Sequence, residues 1–249
     1  IPDAHGLKVA STIVSQINNK QGIAGVAPQA QVIPIKIGNG ARNTPAETIA
    51  AFRLLLQEPS LSEVDVVNAS LGLTPSGFMI LWRDILKFFG DIHNKFQTDE
   101  TKVIGNLVDQ LNQRNIITVM ASGNEGTRAE ETNIYVDNVD AIFVGAVQLS
   151  GGVGSPQDIR RAIFGDVNDP DETEVASNWG DKVTIWAPGN DMAVMSIKEE
   201  GTSNGRAIPD LGADNKVQSL VLRPWLATSA ATPFVSGVVA LMKGIKEDL

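Results

Sequence analysis

Leu226-Ala227-Thr228-Ser229-Ala230-Ala231-Thr232-Pro233 runs straight into an apolar pattern of helical spacing formed by Val235, Val238, Val239, Met242 and Ile245. Its small residues deliver a hydroxyl, that of Ser229, to the start of a helix whose buried face can hold it still. Helix N-termini carry N–H groups with no acceptor inside the helix, together with the positive end of the helix dipole. They therefore favour negative charge developing beside them, which is where a serine nucleophile is useful. Pro233 is expected in the first turn, where its missing N–H breaks no internal bond. A Thr-Ser pair ahead of a helix serves equally well as an N-cap, so the reading turns on the rest of the chain.

Two other segments complete a constellation. His5-Gly6 precedes Val9, Ala10, Ile13, Val14 and Ile17, a second helical apolar face. A histidine at the front of such a helix suits a general base, since its unperturbed pKa lies near neutrality. Further on, Ile116-Ile117-Thr118-Val119-Met120-Ala121 reads as a buried strand that runs into Ser122-Gly123-Asn124-Glu125-Gly126. This places an amide donor on a glycine-flanked turn at a strand end, where a substrate can approach the backbone closely. Taken singly, His5 also fits a surface or capping role and Asn124 a turn role. Together the three supply a base, an oxyanion donor and a nucleophile, the main parts of acyl transfer.

On these residues the chain resembles the subtilisin-like serine peptidases. His5-Gly6-Leu7-Lys8-Val9-Ala10 is similar to the HGTHVA signature around the family's catalytic histidine, and Gly25-Val26-Ala27-Pro28 to the GVAP turn that follows. Asn68-Ala69-Ser70-Leu71-Gly72 resembles the substrate-binding strand and Ala121-Ser122-Gly123-Asn124-Glu125-Gly126 the oxyanion segment. Ala176-Ser177-Asn178-Trp179-Gly180 and Trp186-Ala187-Pro188-Gly189 follow the family's ASxxG and APG turns, and Thr228–Pro233 its GTSMASP nucleophile motif. The motifs occur in family order over nearly the whole chain. The resemblance implies a serine endopeptidase with Ser229, His5 and Asn124 in catalytic roles and Ser70, Leu71, Gly72, Ser122 and Gly123 binding an extended peptide. It requires no cofactor and leans toward a secreted setting.

The departures matter as much. The family's aspartate motif lies well before the histidine, whereas only four residues precede His5 here. Asp3, two residues from His5, reads as a local loop residue rather than its partner. The triad aspartate is therefore expected upstream of Ile1, on the remainder of the same polypeptide, and both ends of the domain are expected to continue beyond residues 1–249. Ala227 stands where the family has glycine, so a positive φ or a close substrate approach there would be strained or narrowed. Leu7 and Lys8 replace the usual Thr-His. These changes keep open a second class of function, a non-catalytic module that binds peptides or a partner domain. Hydrolysis of small esters is a weaker third.

Composition sets the outer bounds. The 249 residues are 43% hydrophobic and 20% charged, enough for one α/β domain. No linker or repeat divides the chain. No apolar run approaches the ~18 residues of a membrane span. A net charge of −9 argues against a nucleic-acid partner, and zero cysteines exclude disulfides and thiolate chemistry. Strands are expected at Val32–Ile37, Val64–Ala69, Ile116–Ala121, Ala141–Val147, Val183–Trp186 and Gln218–Leu222, and helices at His5–Gln16, Pro45–Leu56, Thr101–Gln113 and Ser229–Gly244. Several strands are apolar on both faces, as in a parallel sheet covered by helices on both sides. With the resemblance, the expected architecture is α/β, a subtilisin-like three-layer fold with a mainly parallel sheet. Its ligand crevice should lie at the carboxyl ends of the strands.

Two stretches look inserted relative to the family. Gly77–Thr98 is an amphipathic helix rich in large apolar residues, which either packs on the domain or docks a partner. His93 within it reads as a surface residue. Gly165–Glu174 is an acidic loop, solvated on the simplest view, in which Asp166, Asn168, Asp169 and Asp171 offer oxygen ligands for Ca²⁺.

Overall fold

Branched apolar residues on both faces select buried parallel strands, and four such runs pair side by side. The computed structural model describes residues 5–37, 44–71, 99–150, 158–161, 176–190, 192–197, 206–207 and 220–246. Strands β1 (Val66–Ala69), β2 (Ile117–Ala121), β3 (Ile142–Ser150), β4 (Asp158–Arg161) and β5 (Ile185–Pro188) form a five-stranded sheet. β1, β2, β3 and β5 run parallel, with Val66 opposite Ile117, Val119 opposite Ile142 and Val144 opposite Ile185. β4 pairs antiparallel with β3.

Side-chain parity divides the core into two. Met120 and Phe143 point to one face, where helix α2 (Pro45–Gln57) supplies Phe52 and Leu55 and α3 (Asp99–Gln113) supplies Ile104, Leu107, Val108 and Leu111. Val119, Val144 and Ala146 point to the other, against Ala231, Val235 and Val239 of the long C-terminal helix. The result is three layers with helices on both faces, as expected. Thr44 caps α2 through a capping box with Glu47, and Pro45 occupies the first turn. Helix α1 (His5–Val14) packs on the C-terminal helix, and α4 (Ala129–Thr132) is a single turn after β2.

Three expectations are corrected, and a fourth, the Gln218–Leu222 strand, shifts in its bounds. Val32–Ile37 forms no strand among the described residues, and Val32 and Ile33 are 40% and 54% exposed. An apolar run becomes a strand only beside a ladder partner, and none of the described strands lies against it. Gln218–Leu222 belongs in part to β8 (Leu220–Trp225), which pairs antiparallel with β6 (Met192–Ile197) and β7 (Arg206–Ala207) in a separate three-stranded sheet. Pro233 is the sixth residue of α5 (Thr228–Ile245), not part of its first turn. By length and mean hydropathy alone (18 residues, 1.2) α5 also passes for a membrane span, yet 56% of it is buried, where it covers β1, β2, β3 and β5.

Candidate active site

The first turn of α5 is capped from outside. Ala227, the N-cap, has no side chain able to accept, and Asn124 takes over that role. Its Oδ1 accepts from the Thr228 N–H and from the Thr228 hydroxyl, both at 2.8 Å. A backbone N–H can only donate, so the carboxamide is oriented without ambiguity, and Nδ2 points away from Thr228. Ser229 follows as the second residue of α5. Its Oγ donates to the Ser70 carbonyl at 3.3 Å, while Ser70 Oγ donates back to the Ser229 carbonyl at 3.2 Å. Asn68 Nδ2 donates to Ser70 Oγ at 3.0 Å, and the Ser236 hydroxyl donates to Asn68 Oδ1 at 2.8 Å. A polar chain thus ties the end of β1 to α5.

Ala227 adopts φ 121° and ψ 168°, a region that is essentially glycine-only. Its N–H donates to the Gly189 carbonyl at 2.9 Å, so the turn after β5 holds it there. The strain foreseen from the missing glycine is present in the backbone.

The parallel register brings the ends of β1 and β2 to one edge of the sheet. Ser70 and Leu71 follow β1, and Ser122, Gly123 and Asn124 follow β2. Ser70 and Ser122 are buried. Gly123 has φ 111°, and a Cβ there would collide with Asn178 Nδ2 and the Glu125 carboxylate, so only glycine lets the loop close. Asn133 Nδ2 donates to the carbonyls of Ala121 and Ser122 at 3.0 and 3.2 Å, holding the strand end.

His5 lies in the first described turn of α1, its ring edge-on to Trp225 with centroids 5.3 Å apart. Trp225 closes β8, four residues ahead of Ser229, so one strand carries the histidine's packing partner and leads into the start of α5. The Gly25-Val26-Ala27 segment folds back on α1: its N–H groups take the carbonyls of Ser15, Thr12 and Ile13 at 2.9, 3.0 and 2.8 Å. Gly237 of α5 leaves no room for a Cβ beside Val26, which seats this turn on α5.

Ser70 and Ser229 are therefore joined by hydrogen bonds, Asn124 is bonded to the adjoining Thr228, Ser122 and Gly123 directly precede Asn124 in the chain, and His5 packs on Trp225. Leu71 is half-buried against the core shared with α2 and α3. Gly72, Asp3, the Gly77–Thr98 segment with His93, and the acidic loop with Asp166, Asn168, Asp169 and Asp171 lie outside the described residues. Among the described residues no group of three or more His, Asp or Glu side chains could hold a metal ion. Three participants went unread in the sequence: Thr228 as the clamp on Asn124, Trp225 as the neighbour of His5, and Asn178 as a buried hydrogen-bonding centre. Only their presence inside or beside motifs could have flagged them.

Comparison with known proteins adds independent observations. The family model described as Subtilase family, Peptidase_S8, matches residues 2–248. M-protease of Shouchella clausii (strain KSM-K16) is 26% identical over 241 residues, covering 97% of this chain and 45% of that protein. Subtilisin E of Bacillus subtilis (strain 168) is 25% identical over 241 residues, covering 96% of this chain and 45% of that protein. The major intracellular serine protease of the same strain is 24% identical over 252 residues, covering 99% and 57%. The chain spans about half the length of these relatives. Among solved structures, proteases from Pseudoalteromonas arctica PAMC 21717 share the fold with a TM-score of 0.62 and 22% identity, over 98% of this chain and 60% of that one.

Proposed function

Because the chain belongs to the subtilase family of serine peptidases, we propose that it cleaves internal peptide bonds by acyl transfer. Ser229 is the nucleophile, His5 the general base and Asn124 the oxyanion donor. Ser229 Oγ attacks the peptide carbonyl as His5 takes its proton, and His5 returns that proton to the leaving amine. Water then repeats the cycle on the acyl-enzyme. Asn124 Nδ2 and the Ser229 N–H donate to the oxygen that becomes negative. The carboxylate that orients His5 is supplied by the remainder of the polypeptide, since an imidazole without one lacks both its correct tautomer and a counter-charge. Extended substrate pairs beside Ser70, Leu71 and Gly72 and in front of Ser122 and Gly123, held mainly by backbone hydrogen bonds. Extracellular action is carried over from the resemblance, and the intracellular relative marks the alternative.

The observation that carries this reading is the orientation of Asn124. Its Oδ1 is bonded to Thr228, the residue before the candidate nucleophile, which leaves Nδ2 to serve another acceptor. The test is covalent. An active-site fluorophosphonate should label the full-length protein at Ser229, and Ser229→Ala should abolish labelling while the melting curve is kept. A folded full-length protein that stays unlabelled sinks the reading.

One observation favours a second reading, a non-catalytic module that binds peptides or a partner domain. Ala227 holds a glycine-only backbone conformation directly ahead of the nucleophile turn. Unlabelled but folded protein that still retains peptides would support that reading.

A further inference from the structure

Asn178 is fully buried, 0% exposed, in the turn that follows β3 and β4 and precedes β5. Every bond of its side chain goes to one short loop and the helical turn behind it. Nδ2 lies 3.0 Å from the Ser122 carbonyl, 2.7 Å from Glu125 Oε2 and 2.9 Å from Thr132 Oγ1. Oδ1 accepts from the N–H groups of Glu125 at 3.0 Å and Thr127 at 3.3 Å. Two backbone donors on one oxygen fix the amide's orientation, as the single Thr228 N–H does for Asn124. The Asn178 N–H adds a bond to the Gly123 carbonyl at 2.9 Å.

Asn124 sits in the middle of the residues so held. Its own N–H donates to Glu125 Oε2 at 3.0 Å, and that oxygen also receives Asn178 Nδ2 and the Thr132 hydroxyl, the latter at 3.2 Å. Flanking backbone bonds extend the clamp, Gly126 N–H to the Ala176 carbonyl at 2.8 Å and Trp179 N–H to the Thr127 carbonyl at 3.0 Å. The Asn124–Thr228 contact holds the loop on the side of α5, and Asn178 is the side chain that bonds it at the most points on the other.

We propose that Asn178 is a positioning residue of the acyl-transfer site: through Glu125 and the 122–127 backbone it sets where the Asn124 donor stands relative to Ser229. This rests on the peptidase reading above. Asn178 touches neither substrate nor nucleophile. It acts because a donor displaced by about 1 Å from the developing oxyanion forfeits most of its effect, a loss of up to ~10²-fold in rate.

The experiment is a double-mutant cycle in the full-length protein, with peptide turnover, KM and thermal melting read for each variant. Asn178→Ala should lower kcat by about 10- to 100-fold with KM nearly unchanged. In an Asn124→Ala background the same substitution should cost almost nothing further, since the donor it positions is gone. An equal loss in both backgrounds, or no loss at all, overturns the proposal in favour of a purely structural residue. Should Asn178→Ala fail to fold, Thr132→Val removes a single hydroxyl from the same network and enters the same cycle. It should give a several-fold kcat loss that vanishes without Asn124, and an additive loss or none would overturn the proposal. Absence of Ser229-dependent turnover in the unmutated protein defeats the peptidase reading at the first step. A failure confined to the cycle defeats only the role of Asn178.

Discussion

Pro233 has no N–H to offer the Ser229 carbonyl four residues earlier, and that carbonyl accepts the Ser70 hydroxyl instead, at 3.2 Å. A proline inside a helix normally costs ~3 kcal/mol. Here it leaves one acceptor free to tie the first turn of α5 to the end of β1. Ser229 Oγ returns a bond to the Ser70 carbonyl, so under the proposed roles substrate pairing and nucleophile presentation would share a single hydrogen-bonded joint.

Pro233→Ala should separate these two effects. A new N–H would compete with Ser70 for the Ser229 carbonyl, so the melting temperature should rise while the rate of fluorophosphonate labelling falls several-fold. Unchanged labelling would mean that the Ser70–Ser229 joint has no part in presenting the hydroxyl.

Ala227→Gly should stabilise the protein. The present φ of 121° costs of order 1–3 kcal/mol, against which glycine's extra freedom in the unfolded chain costs ~0.5–1 kcal/mol. A net gain of about 1 kcal/mol corresponds to a rise of roughly 2–4 °C in Tm. A lower Tm would show that the methyl group makes contacts worth more than the strain.

Asn124→Ala should cut kcat by ~10²–10³ with KM little changed, a magnitude set by the oxyanion donor of subtilisin. It should also lose about 1 kcal/mol of stability, since Asn124 caps the first turn of α5. A variant of unchanged kcat but reduced Tm would leave Asn124 with the capping role alone.

Tyr135 provides a pH-dependent test of the core beneath α2 and α3. Burial pushes its hydroxyl up to about 12, against a smaller opposing pull from Thr48. The unfolded value is ~10, so the group's contribution is fully present below about pH 10 and is lost as pH rises through about 12. The loss amounts to roughly 3 kcal/mol. Denaturant melts at about pH 9 and pH 12 should show this extra alkaline loss in the native protein and not in Tyr135→Phe. Parallel pH profiles would show that the ring is hydrated in the fold.

Much of the architecture was legible because it rests on local pattern. The runs ending at Ala69 and Ala121 carry apolar residues on both faces, as strands of a covered parallel sheet do, and Thr44-Pro45 marks a helix start by chemistry that needs no neighbour. Val32–Ile37 carries the same apolar signal and still forms no described strand, because strand formation depends on a second chain segment that the run itself does not specify. Gln218–Leu222 overlaps a strand, Leu220–Trp225, as read, but periodicity says nothing of which sheet it joins or in which direction.

The sequence alone determined the three-layer α/β order and the helix that carries Ser229, which follow from residue type and short-range spacing, and the backbone conflict at Ala227, which the family resemblance implied. The amide orientation of Asn124, the packing of His5 against Trp225, the tie from Ser70 across Pro233 and the clamp centred on Asn178 emerged only with the folded chain. The physical reason is range. Hydrophobic periodicity and backbone preference act within a few residues, whereas these hydrogen bonds join positions 53, 104 and 159 apart, and their partners are defined only once the sheet register is set.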